Sequence, residues 1–187
     1  TDTADYSAST AGVTVDLAAG TGAGGDAQGD TLVAITNVIG SGLADVLTGD
    51  GIANVLYGAA GADLLDGGAG NDSLYGGNDN DTLIGGAGND LLSGDAGTDT
   101  VDYSAAAAAI NASLTSNTAT GDGTDTFSGI ENLTGSAFND TLTGDGTANV
   151  LTGAAGADSL SGLAGNDSLY GGTGADTLIG GDNDDRL

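Results

Sequence analysis

A strict period of nine residues governs the spacing of apolar and acidic positions along most of the chain. In each unit the eighth residue is Leu or Val, and the sixth is Asp or Asn, over two blocks, 40–102 and 135–187. Unit 85–93 is the clearest example, with a glycine-rich hexapeptide before three residues that carry the apolar side chain. Glycine and Asn tolerate left-handed backbone, and neighbouring strand residues face opposite sides. Each unit therefore predicts a tight turn followed by a short strand.

A fixed repeat of this length is typical of a solenoid, in which each repeat packs against its neighbours. Nine residues are too few for a full circuit, so two units predict one coil of about eighteen residues. The predicted fold class is all-β: a parallel β-roll, or β-solenoid. The eighth side chains form its core, and the sixth side chains stack along its two edges.

The stacked sixth positions predict metal binding, because carboxylates about 4.8 Å apart repel each other unless a cation lies between them. The chain has no His or Cys, and a set of carboxylate and carbonyl oxygens favours Ca²⁺ over Mg²⁺. The predicted side-chain ligands are Asp45, Asn54, Asp63, Asp72, Asp81, Asp90, Asp99, Asp140, Asn149, Asp158, Asp167, Asp176 and Asp185. The predicted backbone carbonyl ligands are those of Gly58, Gly61, Gly67, Gly70, Gly76, Gly85, Gly88, Gly153, Gly156, Gly162, Gly165, Gly171 and Gly174.

Units such as Gly-Gly-Ala-Gly-Asn-Asp-Leu-Leu-Ser, at 85–93, resemble the repeat of the calcium-binding repeats-in-toxin (RTX, hemolysin-type) family. The resemblance implies a calcium-stabilised parallel β-roll with Ca²⁺ between turns two units apart. It also implies export by a type I secretion machinery, with folding outside the cell. Pairing sixth positions two units apart gives about nine ions. Turns 49–54 and 144–149 depart from the pattern at the fourth and sixth positions, and we expect weak binding there or none.

A longer repeat of about 95 residues lies above the nonapeptide period. Segment 30–92 aligns without gaps with 125–187, and Asp5-Tyr6-Ser7 recurs as Asp102-Tyr103-Ser104. We predict two β-roll superrepeats, 1–97 and 98–187, the second truncated, and interpret the chain as a window on a longer array. The segments that precede each nonapeptide block are interpreted as irregular coils of the same spiral. A separate small domain is the alternative.

The net charge of −26, with one Arg and no Lys, argues against binding to nucleic acid and against insertion into an anionic membrane. Self-repulsion opposes compaction of such a chain, and no cysteine is present to form a disulfide. We therefore expect a largely disordered chain at low calcium that folds at extracellular calcium concentrations. From composition alone, a permanently disordered linker is the alternative, but the regular apolar ladder argues against it.

The same acidic and apolar positions recur in every unit, which argues against an enzyme. An active site needs a unique set of groups in different environments. The predicted function is structural: an extracellular, secreted, calcium-binding element, rigid or self-assembling, of a bacterial adhesin, surface layer or filament. A secretion and folding tail on an enzyme or toxin is the alternative. Self-association with neighbouring copies is expected, because a column of outward aliphatic residues, Val46, Leu64 and Ile84, offers a lateral contact.

Overall fold

The computed structural model describes residues 2–187, and these residues form mainly short strands joined by tight turns. A three-residue 3-10 helix spans Gly25–Ala27. In chain order the strands are β1 (Asp2–Asp5), β2 (Thr14–Asp16), β3 (Thr21–Ala23), β4 (Ile35–Ile39), β5 (Val46–Thr48), β6 (Val55–Ala60), β7 (Leu64–Asp66), β8 (Ser73–Asn78), β9 (Thr82–Ile84), β10 (Leu91–Ala96), β11 (Thr100–Asp102), β12 (Asn111–Ser113), β13 (Thr118–Thr120), β14 (Thr124–Ser128), β15 (Asn132–Thr134), β16 (Thr141–Thr143), β17 (Val150–Thr152), β18 (Ser159–Ala164), β19 (Ser168–Tyr170) and β20 (Thr177–Asp182).

The strands make two long sheets whose pairs are mainly parallel. One sheet has eleven strands in the order β1-β4-β6-β8-β10-β14-β13-β12-β16-β18-β20, and the other has nine in the order β19-β17-β15-β11-β9-β7-β5-β2-β3. From β5 to β11 successive strands alternate between the sheets. Leu47 pairs with Leu65 and Leu65 pairs with Leu83, so one coil takes eighteen residues. The predicted all-β parallel roll is confirmed.

The core between the sheets is a ladder of eighth-position side chains. From Leu47 to Leu169 each of them is at most 1% exposed, and burying one such side chain contributes roughly 1.5–3 kcal/mol. Their strand neighbours point outward, because strand side chains alternate between faces. Tyr57 and Tyr75, one coil apart on the outer face, stack with ring centroids 4.7 Å apart and planes inclined by 9°.

The segments that precede the nonapeptide blocks contribute strands to these same two sheets. In each copy a tyrosine makes a hydrogen bond across this segment. The Tyr6 hydroxyl donates to Oδ2 of Asp30 at 2.9 Å, and the Tyr103 hydroxyl donates to Oδ2 of Asp125 at 2.8 Å. Strand β13 runs antiparallel between β12 and β14, which turns the chain back before the roll resumes. The division into units 1–97 and 98–187 stays a prediction.

The two copies are half a coil out of phase. Strand β1 pairs with β4 in the eleven-stranded sheet, whereas β11, which has the same place in the second copy, pairs with β15 in the nine-stranded sheet. Equivalent residues therefore lie on opposite faces, as Tyr75 in β8 and Tyr170 in β19 do. Within residues 2–187 there is no helix with the length and apolarity needed to cross a membrane.

Candidate metal-binding turns

The sixth-position side chains are held inside the turns, although they are polar. Eleven of the thirteen are at most 3% exposed, and only Asp176 and Asp185, in the last coil, are half-buried. In those eleven turns the residue two places later is a buried Leu or Val of the ladder, so the same strand that anchors the core fixes the carboxylate. Burial of this kind destabilises an ionised carboxylate unless hydrogen bonds or a cation compensate.

One oxygen of each typical sixth-position carboxylate bonds to the preceding coil. Oδ1 of Asp63 accepts the backbone N–H of Asp45 at 2.7 Å, and Oδ1 of Asp81 accepts that of Asp63 at 2.8 Å. On the other edge, Oδ1 of Asp72 accepts the N–H of Asn54 at 2.8 Å. The carboxylates therefore lie one above another at intervals of eighteen residues along each edge.

The second oxygen has no hydrogen-bond partner in seven turns. These buried atoms are the Oδ2 oxygens of Asp63, Asp72, Asp81, Asp90, Asp99, Asp158 and Asp167. An unpaired buried oxygen of this kind is costly, by about 1–3 kcal/mol or more for a charged group. The same unpaired, buried carboxylate oxygen in seven turns fits a partner of positive charge.

The pKa values of these carboxyls reflect the same imbalance. Burial, reinforced by the neighbouring carboxylates and opposed by the Asp45 N–H, raises the pKa of Asp63 to about 7. Burial likewise raises the pKa values of Asp81 and Asp90 to about 6. Without a cation, the turns therefore hold their negative charge only at a free-energy cost.

Each orphaned oxygen faces a space that only glycine at the first turn position leaves open, here called the turn pocket. A Cβ built on Gly67 would lie 2.5 Å from Oδ2 of Asp72 and 2.6 Å from the carbonyl oxygen of Gly85, one coil later. A Cβ on Gly58 would meet Oδ2 of Asp63 and, at 2.6 Å, the carbonyl oxygen of Gly76. A carboxylate and a carbonyl therefore converge on each of these two pockets.

The donor set of the turn pockets fits a hard cation such as Ca²⁺, which takes carboxylate and carbonyl oxygens. Among residues 2–187 no group of three or more His, Cys, Asp or Glu side chains lies together in a metal cluster. The oxygens nearest to the pockets of Gly58 and Gly67 are one carboxylate oxygen and one backbone carbonyl oxygen each.

The predicted glycine ligands divide into two sets. At the first position, the carbonyls of seven glycines face the first-position glycine of the preceding coil: Gly58, Gly67, Gly76, Gly85, Gly153, Gly162 and Gly171. At the fourth position, the carbonyls of Gly70, Gly88 and Gly156 face a glycine of the next coil instead, along the axis of the roll. The roles of those three and of Gly61, Gly165 and Gly174 stay predictions.

Four turns satisfy their sixth side chain without an orphaned oxygen. They are the units 40–48, 49–57, 135–143 and 144–152, here called the closed turns; the other nine units are the open turns. Oδ1 of Asp45 accepts the Val13 N–H at 2.7 Å, and Oδ1 of Asp140 accepts the Ile110 N–H at 2.7 Å. Their Oδ2 atoms accept backbone N–H groups of Ser41 and Ser136.

The two Asn side chains of the closed turns are satisfied as well. Nδ2 of Asn54 donates to the Thr36 carbonyl at 3.0 Å, and Nδ2 of Asn149 donates to the Glu131 carbonyl at 2.8 Å. Weak or absent binding at these two turns stays a prediction, and their hydrogen bonds agree with it. Asp45 and Asp140, predicted as ligands, have no free carboxylate oxygen, so we leave both out of the proposed ligand set.

Two acidic residues outside the nonapeptide pattern extend the stacks of sixth-position carboxylates. Oδ1 of Asp125 accepts the Asp90 N–H at 3.0 Å, and Oε2 of Glu131 accepts the Asp99 N–H at 2.8 Å. They lie 35 and 32 residues after their partners, so the eighteen-residue period does not reveal them. The only sequence signal is that Asp125 recurs in register with Asp30.

Parallel coils, stacked buried carboxylates and carbonyl-lined pockets define a β-roll whose turns are suited to hard cations. The model of the RTX calcium-binding nonapeptide repeat matches four stretches, 39–74, 75–105, 125–160 and 152–187. The chain belongs to this family, which confirms the resemblance seen in the units, and such repeats bind calcium. Proteins with RTX repeats are typically secreted. A comparison with curated proteins finds no match.

Proposed function

We propose that this chain is a structural module that folds when it binds calcium outside the cell. The observation that supports it is the set of seven buried Oδ2 oxygens without a partner. Each faces a glycine pocket, and carbonyl oxygens face several of those pockets. Family membership adds that the repeats bind calcium. The module acts as a rigid element of a bacterial adhesin, surface layer or filament, and carries no catalytic site of its own.

The orphaned oxygens also support a number of ions. Seven buried Oδ2 atoms correspond to about seven calcium ions, and the open turns of Asp176 and Asp185 in the last coil would bring the number to about nine. Seven divalent ions would change the formal net charge from −26 to about −12. Calcium therefore removes both the local repulsion within a turn and much of the global repulsion along the roll.

We expect calcium to convert the chain cooperatively from a largely disordered state to the β-roll. A titration from chelator into millimolar calcium, followed by circular dichroism, should give a midpoint of about 10⁻⁴–10⁻³ M, the range of extracellular calcium modules. Magnesium is the control, and should produce little β signal at the same concentration. A complete β signal in chelator, unchanged by calcium, would refute the proposal.

Self-association of neighbouring copies is part of the proposed structural role. Val46 and Leu64 pair on the outer face of the nine-stranded sheet, where Val46 is 38% exposed and Leu64 is half-buried. The expected column does not continue to Ile84, because Leu64 pairs with Thr82 and Ile84 pairs with Asp66. This aliphatic pair on the outer face offers a lateral contact for a second copy. Sedimentation velocity at millimolar calcium should show concentration-dependent association that Val46→Thr weakens. A monomer at every concentration would contradict this expectation.

A further inference from the structure

The open and closed turns differ in backbone conformation at the second position. In all nine open turns this residue has a positive φ, whether or not it is glycine: Ala59, Gly68, Gly77, Gly86, Asp95, Ala154, Leu163, Gly172 and Gly181. In the four closed turns the second residue is Ser41, Asp50, Ser136 or Asp145, and none of these has a positive φ. The two classes are therefore two distinct turn structures.

In the closed turns the backbone N–H of the second residue makes a hydrogen bond within the turn. It donates to the sixth side chain of its own turn, as from Ser136 to Oδ2 of Asp140 at 2.6 Å and from Asp50 to Oδ1 of Asn54 at 2.7 Å. The accepting atom is the one that faces the first-position glycine, here Gly135 or Gly49. A backbone N–H thus donates to the side-chain oxygen that, in an open turn, has no hydrogen-bond partner and can bind a cation.

The fourth position accounts for the choice between the two turns. Open turns have Gly, Asp or Asn there, and in eight of the nine that residue has a positive φ. Closed turns have Leu43, Ile52, Phe138 or Thr147. Bulky and β-branched residues are strongly disfavoured in left-handed backbone, so these four sequences cannot follow the path of those eight open turns without strain.

The closed turns are not scattered through the roll. They come as consecutive pairs, so they form one complete coil at the start of each nonapeptide block, 40–57 and 135–152. All seven orphaned oxygens lie outside these coils and outside the segments that precede them. In the second copy, 102–152 is also closed internally by the bond from Ile110 N–H to Asp140 and by that from the Tyr103 hydroxyl to Asp125.

We propose that each nonapeptide block begins with a coil that folds without calcium and offers a preformed sheet edge to the calcium-dependent coils that follow. The inference rests on the proposed function, because it presupposes that the open turns need the ion. Segment 102–152 keeps structure in chelator, while the open-turn array 60–98 does not. Calcium then orders the open coils by adding strands to an existing edge, which avoids the cost of forming the first coil from a disordered chain.

Hydrogen–deuterium exchange of the full 187-residue chain, read by mass spectrometry, tests this proposal. In chelator, amides of 102–152 should exchange at least about tenfold more slowly than those of 60–98, whereas both should be protected in millimolar calcium. Equal, fast exchange of both segments in chelator, with protection of both by calcium, would overturn the inference and leave the proposed function standing. Protection of both segments in chelator would overturn the two together.

A pair of matched variants tests the turn itself. Ser136→Gly combined with Phe138→Gly permits the open path, so 135–152 should lose its protection in chelator and regain it in calcium. Ser136→Gly combined with Phe138→Ser removes the same exposed ring, which is 46% accessible, but keeps a side chain that disfavours left-handed backbone. That control should retain protection in chelator. Identical behaviour of the two variants would contradict the turn mechanism.

Discussion

Leu74→Ala is expected to lower the free energy of unfolding by about 2–5 kcal/mol. Leu74 is fully buried and pairs with Leu56 and Leu92 in the adjacent coils, so truncation leaves a cavity between three rungs of one ladder. Leu74 is the only buried residue of β8 with a side chain, and neighbouring leucines cannot fill the space without breaking strand register. Urea unfolding at saturating calcium measures the loss, and a change below about 1 kcal/mol would contradict it.

Asp72→Ala, two residues away in the same turn, is the matched comparison. It removes an acceptor of the Asn54 N–H and an orphaned oxygen of a turn pocket. We expect the calcium midpoint for folding to rise about tenfold or more, and high calcium to restore much of the stability through the ligands that remain. Leu74→Ala should gain from calcium only through general stabilisation. Equal calcium dependence in the two variants would contradict the assignment of Asp72 as a ligand.

Asn54→Ala distinguishes a ligand from a structural hydrogen bond. Asn54 occupies the same sixth position, but its Oδ1 and Nδ2 are both bonded to backbone groups of the protein. Its removal should cost stability by about 1–3 kcal/mol, because the Asp50 N–H loses its acceptor. The calcium midpoint should move less than in Asp72→Ala.

The core and the coil length follow from the sequence because they depend on local periodicity. One apolar residue in nine, two places after an acidic one, leaves a single way to bury Leu47, Leu65 and Leu83 together. A coil length that is not a multiple of nine would take these leucines out of line, and nine residues alone are too few for a full circuit. The same logic fixes the carboxylate stacks, since the sixth and eighth positions belong to one rigid turn and strand.

The division between open and closed turns is less visible in the sequence. Ile52 and Thr147 are recognisable departures because Asn also replaces Asp in their turns, but Leu43 and Phe138 precede an ordinary Asp. The sixth residue alone therefore does not decide whether a turn has a free oxygen. That outcome depends on whether the fourth residue tolerates left-handed backbone, a conformational preference that a search for ligand types overlooks.

The long-range partners of the ladders could not be predicted because the chain reverses between β12 and β14. Strand β10 pairs with β14, and Phe127 of β14 lies beside Leu92. This pairing spans 35 residues instead of eighteen. Antiparallel strand β13 has no counterpart in the nonapeptide blocks. Asp125 and Glu131 therefore complete ladders whose earlier members are far away in sequence.

In chelator, the β content of the chain is expected to increase as the pH is lowered from about 8 to about 5. The pKa of Asp63 is raised to about 7 in the roll, and those of Asp81 and Asp90 to about 6, against 3.8 for an unperturbed Asp. Groups with a raised folded-state pKa stabilise the fold most at low pH, and that stabilisation is lost as the pH rises through about 6–7. A proton relieves the buried charge in place of the cation.

Circular dichroism across this pH range, with and without calcium, measures the effect. Protons and calcium compete for the same oxygens, so the calcium midpoint should rise as the pH falls, even though the metal-free roll becomes more stable. Asp63→Asn should make the metal-free pH profile less steep, because its side chain is neutral throughout, while Asp81 and Asp90 still titrate. Asp26→Asn removes the same charge from an exposed position and should leave the profile almost unchanged. A metal-free β signal that is larger at pH 8 than at pH 5 would show that buried carboxylate charge does not limit folding.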